Sequence, residues 1–215
     1  VTVEDNVNPT AVCQDITVQL NGAGTTTIVA ADIDGGSSDN CAIASISADI
    51  TSFDCSHVGS NVVTLTVTDV NGNISTCTAD VTVEDNVDPT ALCQNITVQL
   101  DALGTISITA NDIDNGSTDN CAVASLVLDE TSFDCSEVGL NTVILTVTDV
   151  NGNVSTCSAQ VTVEDNVNPN ALCQDITVQL NAVGNASIVA GQINNGSTDN
   201  CAIASISVNQ NTFDC

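Results

Sequence analysis

Apolar and polar residues alternate from Asp15 to Leu20, with Ile16, Val18 and Leu20 set against Asp15, Thr17 and Gln19. A period of two marks a half-buried strand. Asn21-Gly22-Ala23-Gly24 turns the chain, and Thr25 to Ala31 reads as a second strand. Asp32 to Asn40 has the composition of a loop, Cys41 to Asp49 that of a third strand, and a short strand runs through Phe53 to Cys55. After a loop from Ser56 to Ser60, residues Asn61 to Thr68 place Val63, Leu65 and Val67 on one face and Thr64, Thr66 and Thr68 on the other. Asp69-Val70-Asn71-Gly72-Asn73 carries the Asn-Gly hairpin signal, and Ser75 to Glu84 closes the series. No stretch has a 3.6-residue period, so essentially no helix is expected. Six or seven short strands joined by turns predict an all-β fold of the immunoglobulin-like sandwich type.

The same series then starts again. Val3-Glu4-Asp5-Asn6-Val7-Asn8-Pro9 returns at Val83, with Asp88 in place of Asn8, and at Val163, 80 residues apart each time. A fixed period of this size is the mark of a tandem array. The expected organisation is the end of a preceding module at 1–4, sandwich modules at 5–84 and 85–164, and a third at 165–215 without its last two strands. Those strands are expected either beyond Cys215 or from another chain. The first is favoured, because Cys173 otherwise needs an intermolecular partner. Roughly seven positions in ten are identical between the first two copies, as expected of recent duplication.

Composition sharpens this picture. The chain has 27 acidic residues, no Lys or Arg, and a formal net charge of −27. Nothing in it neutralises phosphate, which argues against nucleic acid and anionic membrane surfaces as partners. No apolar run is long enough to span a bilayer, and there is no signal-peptide pattern, so an internal segment of a secreted protein is expected. Carboxylate repulsion has to be relieved by spacing, solvent or bound metal ions. The core contains one Phe per repeat and otherwise Val, Ile, Leu and Ala, so cross-links are expected to carry much of its stability.

Eleven cysteines recur at fixed places: 13, 41, 55 and 77, then 93, 121, 135 and 157, then 173, 201 and 215. One histidine and no C-x-x-C pair argue for disulfides rather than zinc, and hence for an oxidising, extracellular compartment. Four cysteines allow three pairings within a module. The closing-strand pattern turns Cys77 inward and favours Cys13–Cys77 with Cys41–Cys55, repeated as Cys93–Cys157 with Cys121–Cys135 and as Cys201–Cys215.

With the Asp/Pro linker, Cys13, Asp39-Asn40-Cys41, Phe53, Gly59, Thr68-Asp69-Val70-Asn71-Gly72-Asn73 and Cys77 in order, each repeat resembles a hyalin repeat (HYR). The resemblance covers both complete copies. It implies an immunoglobulin-like fold in extracellular proteins, in tandem, associated with adhesion and matrix. Cys55 is the element that varies in that family.

In such a sandwich the linker, the loop before the third strand and the final hairpin share one pole. Glu4, Asp5, Asp32, Asp34, Asp39, Asp69 and Asn71 are therefore expected to converge on a cation. Glu84, Asp85, Asp112, Asp114, Asp119, Asp149 and Asn151 form the second set. Glu164, Asp165 and Asp199 form a weaker third set, because Gln192 and Asn194 replace two aspartates. Oxygen ligands in this number suit Ca²⁺, with Mg²⁺ second. The competing explanation is that Asp and Asn simply shape turns. Candidate glycosylation sequons occur at Asn73, Asn95, Asn115, Asn153, Asn185 and Asn195. His57 is replaced by Glu137 in the second copy, and no catalytic set recurs, so no enzyme is expected.

The functional expectation is a structural extracellular segment, a calcium-stiffened rod, stalk or surface fibre whose partners are neighbouring modules. The alternatives are an adhesin or receptor segment that binds protein or glycan, and the protomer of a self-assembling filament.

Overall fold

The computed structural model describes residues 1–215, and the fold is nearly all β. The first repeat holds β1 (Ile16–Gln19), β2 (Thr25–Thr27), β3 (Ile43–Ala48), β4 (Ser52–Asp54), β5 (Gly59–Asp69) and β6 (Ile74–Glu84). Four strands form one sheet in the order β1-β6-β5-β3, and β2 pairs with β4 opposite it. β5 and β6 are the long hairpin announced by Asn71-Gly72, antiparallel from Gly59↔Val83 to Thr68↔Ile74. β1 runs parallel to β6, with Ile16 opposite Val81 and Gln19 opposite Glu84. The alternation sends Val63, Leu65, Val67, Ala79, Val81 and Val83 inward, where they meet Leu20, Ile28, Ile33 and Phe53. Each large aliphatic side chain buried this fully contributes about 1.5–3 kcal/mol.

The second repeat holds β7 (Ile96–Gln99), β8 (Thr105–Ser107), β9 (Val123–Leu128), β10 (Ser132–Asp134), β11 (Gly139–Asp149) and β12 (Val154–Glu164), with sheet order β7-β12-β11-β9 and a β8–β10 pair. In the third repeat β13 (Asn185–Ser187) pairs with β14 (Thr212–Asp214) in the register of β2 with β4.

Three details differ from the expected pattern. The predicted strand Thr25 to Ala31 stops at Thr27 and is followed by a one-turn 3-10 helix, Ala30–Asp32. The cause is local: the Asp32 carboxylate accepts the N–H of Val29 at 2.7 Å and folds the backbone back. Short helical turns also occur at Ala110–Ile113 and Ala190–Ile193. Cys55–His57 and Cys135–Glu137 form 3-10 turns capped by the carboxylates of Asp54 and Asp134. No helix is long and apolar enough to cross a membrane.

By packing, the chain divides into two compact units that do not follow the 80-residue period. One comprises residues 1–91 together with 116–126 and 146–156. The other comprises 92–115, 127–145 and 157–215. The first unit therefore contains both the end of the first repeat and, from the second, the Asp119-Asn120-Cys121 end of the acidic loop and the hairpin turn.

Candidate functional site

Each junction between repeats lies inside one compact unit, so its geometry follows directly from that unit. In the first unit, Asp85 follows β6 and opens the linker. Its Oδ1 accepts the N–H of Val87 at 3.2 Å and the side-chain amide of Asn120 at 3.0 Å. The same amide donates to the carbonyl of Asn21 at 3.3 Å, in the β1–β2 turn of the first repeat. Asp119 Oδ2 accepts the N–H groups of Cys121 and Ala122 at 2.8 and 3.2 Å. Asp149, only 2% exposed, holds the β11–β12 turn, its Oδ1 accepting the N–H groups of Asn151, Gly152 and Asn153. Asn153 links this turn to the linker by donating to Asp149 Oδ2 and to the Asp85 carbonyl. Burial pushes the Asp149 carboxyl upward, but the Asn153 amide and the turn N–H groups outweigh it and hold it below the usual range. Asp69 is balanced in the same way.

Four oxygens of this junction are buried without a donor: Asp85 Oδ2, Asp119 Oδ1, Asn120 Oδ1 and Asn151 Oδ1. Asp85 itself is 5% exposed. A buried acceptor without a partner costs about 1–3 kcal/mol, and more when charged. The chain has no Lys or Arg to relieve them. Ligand atoms of Asp85, Asp119 and Cys121 lie within 4.8 Å of one another, as do those of Asp5, Asp39 and Cys41. Cys121 is disulfide-bonded, which leaves oxygen as the ligand type at Asp85 and Asp119. Such a donor set fits a hard cation of the Ca²⁺ kind and not zinc.

The first junction repeats the pattern. Asp5 Oδ1 accepts the Val7 N–H at 3.0 Å, Asn40 reaches Asp5 Oδ2, and Asn73 joins the Asp69 carboxylate to the Asp5 carbonyl. The Val7 N–H, with Cys41 and Asn40, lowers the Asp5 carboxyl, and Asp5 in turn raises the Cys41 thiol. In the second unit, Asn200 donates to Asp165 Oδ1 at 3.0 Å and to the Asp101 carbonyl at 3.1 Å, and Asp199 Oδ1 is buried without a donor.

Several predicted ligands are used elsewhere. Glu4 is exposed, and the Glu84 and Glu164 carboxylates accept the amides of Gln19 and Gln99. Asp32 and Asp112 cap their own turns through the N–H groups of Val29 and Thr109. Asp34 accepts the N–H of Ser37, and Asp114 bridges to Cys93 as Asp34 does to Cys13. Gln192 and Asn194 make the same local bonds, to the N–H groups of Val189 and Ser197. Their substitution for Asp therefore preserves each turn with a neutral acceptor. The asparagines of the Asp-Asn-Cys step were missed as junction residues, although the step is identical at 39, 119 and 199.

The disulfides correct the expected pairing. Cys13 joins Cys77 and Cys93 joins Cys157, within repeats. Cys41–Cys55, Cys121–Cys135 and Cys201–Cys215 do not form. Cys55 is bonded instead to Cys121, and Cys135 to Cys201, with Cα separations of 5.5 and 5.3 Å. Cys41, Cys173 and Cys215 are free thiols. Gly24 explains how the chains approach closely enough. Its φ is +70°, and a Cβ there would lie 2.6 Å from the Asn120 carbonyl oxygen and 2.8 Å from Cys55 Sγ. Gly104 has the same place against Cys135 and Asn200.

Two of the sequon asparagines take part in the junctions, the Asn73 amide donating to the Asp5 carbonyl and Asp69 Oδ2, and the Asn153 amide to the Asp85 carbonyl and Asp149 Oδ2. Asn95, Asn115, Asn185 and Asn195 are exposed. His57 sits beside Asp54 at 2.8 Å and accepts the Asp54 N–H, a capping role that Glu137 fills for Asp134.

No protein-family model and no curated protein matches the chain. Among solved structures it is similar to the protocadherin GammaB4 extracellular domain, at 13% identity and TM-score 0.40, over 80% of this chain and 35% of that one. Human protocadherin-24 EC1-2 gives 11% and 0.41, over 74% and 100%. Human mucin-like protocadherin EC1-2 gives 13% and 0.36, over 73% and 98%. The chain spans 35%, 57% and 48% of the protocadherin gamma B4, B7 and B2 structures it matches.

Proposed function

We propose that this chain is a structural segment of an extracellular repeat protein of the hyalin-repeat kind, a stiff stalk or surface fibre whose joints are clamped by a disulfide and by Ca²⁺. Cross-links between consecutive repeats are the observation that carries this reading. Cys55–Cys121 and Cys135–Cys201 restrain the joints, which a chain of freely hinged beads would leave unrestrained. Four disulfides support an oxidising working compartment.

Asp85, Asp119, Asn120 and Asn151 supply the oxygens for the ion at the second joint, Asp5 and Asp39 those at the first, and Asp165 and Asp199 those at the third. The ion supplies the positive charge that the sequence lacks. Small-angle X-ray scattering of the chain in millimolar Ca²⁺ and in chelator tests the stiffening. A broadened distance distribution in chelator is expected. Identical curves, together with a calorimetric titration showing no Ca²⁺ uptake, would remove the metal from the joints.

A further inference from the structure

We infer that the inter-repeat disulfide Cys55–Cys121 and the cation site of the second joint are energetically coupled, so that closing the disulfide builds the high-affinity site and occupying the site protects the disulfide. This rests on the Ca²⁺ reading above and adds a redox-dependent control to it.

The coupling follows from which residues the two features share. Asp119-Asn120-Cys121 is a continuous step. Its first residue offers an unpartnered buried carboxylate oxygen, and its last is half of the disulfide. Between them, Asn120 donates from one amide nitrogen to Asp85 Oδ1 and to the Asn21 carbonyl. Asp85 is the second carboxylate, 5% exposed, with its other oxygen unpartnered. The loop that brings Asp119 to Asp85 is thus held from one side by the sulfur of Cys55 and by the Asn21–Gly24 turn. Breaking the disulfide leaves the Thr90–Thr118 backbone pair at the Asp119 end of the loop, but only the Asn120 amide and the Ala122 carbonyl to hold the Asn120-Cys121 end.

Two carboxylates brought that close repel each other unless a cation lies between them. Without the cross-link the Asn120-Cys121 end of the loop is less constrained, and the ion must then order it. The cost of that ordering appears as lost affinity. Couplings of this sort are typically 5–150-fold, and linkage makes them reciprocal. In the reductive direction a dithiol transfers two electrons and two protons to the cystine. The S–S bond of Cys55–Cys121 breaks, two thiols form, and the dithiol closes to a cyclic disulfide. Bound Ca²⁺ opposes this step by the same factor.

The test uses Ca²⁺ alone, titrated calorimetrically into the oxidised chain and into the double variant Cys55→Ser, Cys121→Ser. One class of sites is expected to weaken at least fivefold, while the class at Asp165 and Asp199, beside the intact Cys135–Cys201, stays unchanged. A second measurement needs no variant. The wild-type chain is equilibrated with reduced and oxidised dithiothreitol, with and without Ca²⁺, then alkylated and cleaved after Glu. Cleavage after Glu84 and Glu130 separates the peptides bearing Cys55 and Cys121. Ca²⁺ is expected to lower the reduced fraction at this pair more than at Cys13–Cys77. Superimposed isotherms and an unchanged reduced fraction overturn the coupling and leave the Ca²⁺ reading standing. Absence of Ca²⁺ binding by the oxidised wild type overturns both.

Discussion

Gly24→Ala isolates the close approach at the junction from everything else the repeat does. The added methyl would meet the Asn120 carbonyl oxygen at 2.6 Å and Cys55 Sγ at 2.8 Å. Neither atom gives way easily, since one is backbone and the other is tied into a cross-link. Two costs therefore add. An L-residue at φ +70° loses about 1–2 kcal/mol. Overpacking against fixed atoms adds about 1–3 kcal/mol. The sum, roughly 2–5 kcal/mol, is large against the marginal stability of a domain. Gly22 is the control, two residues away in the same turn, with open space around it and no positive φ. Gly22→Ala is expected to fall within about 0.5 kcal/mol of wild type or slightly above it. Urea unfolding of the three proteins reads the difference, and alkylation with mass spectrometry reads the fraction of Cys55–Cys121 formed. If Gly24→Ala unfolds within about 0.5 kcal/mol of Gly22→Ala and keeps the full disulfide, the close approach described here is wrong.

Saturating Ca²⁺ at 100 times its Kd is expected to stabilise the chain by about 2.7 kcal/mol per site, raising Tm by several degrees in scanning calorimetry, with the gain lost in chelator. Leu65→Ala removes a fully buried side chain and is expected to cost about 2–5 kcal/mol in urea unfolding. The Asp69 and Asp149 carboxyls are depressed in the folded state. Their contribution is complete above the unfolded value of about 3.9 and is lost as pH falls through the depressed values. The urea midpoint in chelator should therefore hold between neutral pH and about 5 and drop in acid, with a shallower drop in Asp69→Asn.

The strands were legible because alternation is a local signal. Val63, Leu65 and Val67 announced β5, and the observed strand extends only to Gly59 and Asp69. The cross-links were not legible, for a reason peculiar to periodic chains. Cys41 and Cys121 occupy the same place in their repeats, one period of 80 residues apart. Cys55 therefore has two candidates that pattern alone cannot separate, and proximity along the chain points to the nearer one. Only the distance across the joint decides, and Gly24 was the one local sign of it. The acidic loop shows a similar limit. Asp32, Asp34 and Asp39 look alike in sequence, yet the first two cap their own turns while Asp39 comes to Asp5. Gln192 in place of Asp32 shows what that position needs, an acceptor oxygen rather than a charge.

Each bridge across a joint takes its two sulfurs from different repeats, one from the Asp-Asn-Cys step and one from the Phe-Asp-Cys step. Each repeat carries both halves, and the second uses one toward the first repeat and the other toward the third. Unequal recombination that adds or removes a whole period therefore keeps these bridges in register, whereas a breakpoint that shifts the period breaks one. The number of repeats is in this way free to drift over generations while the bonding pattern stays constant.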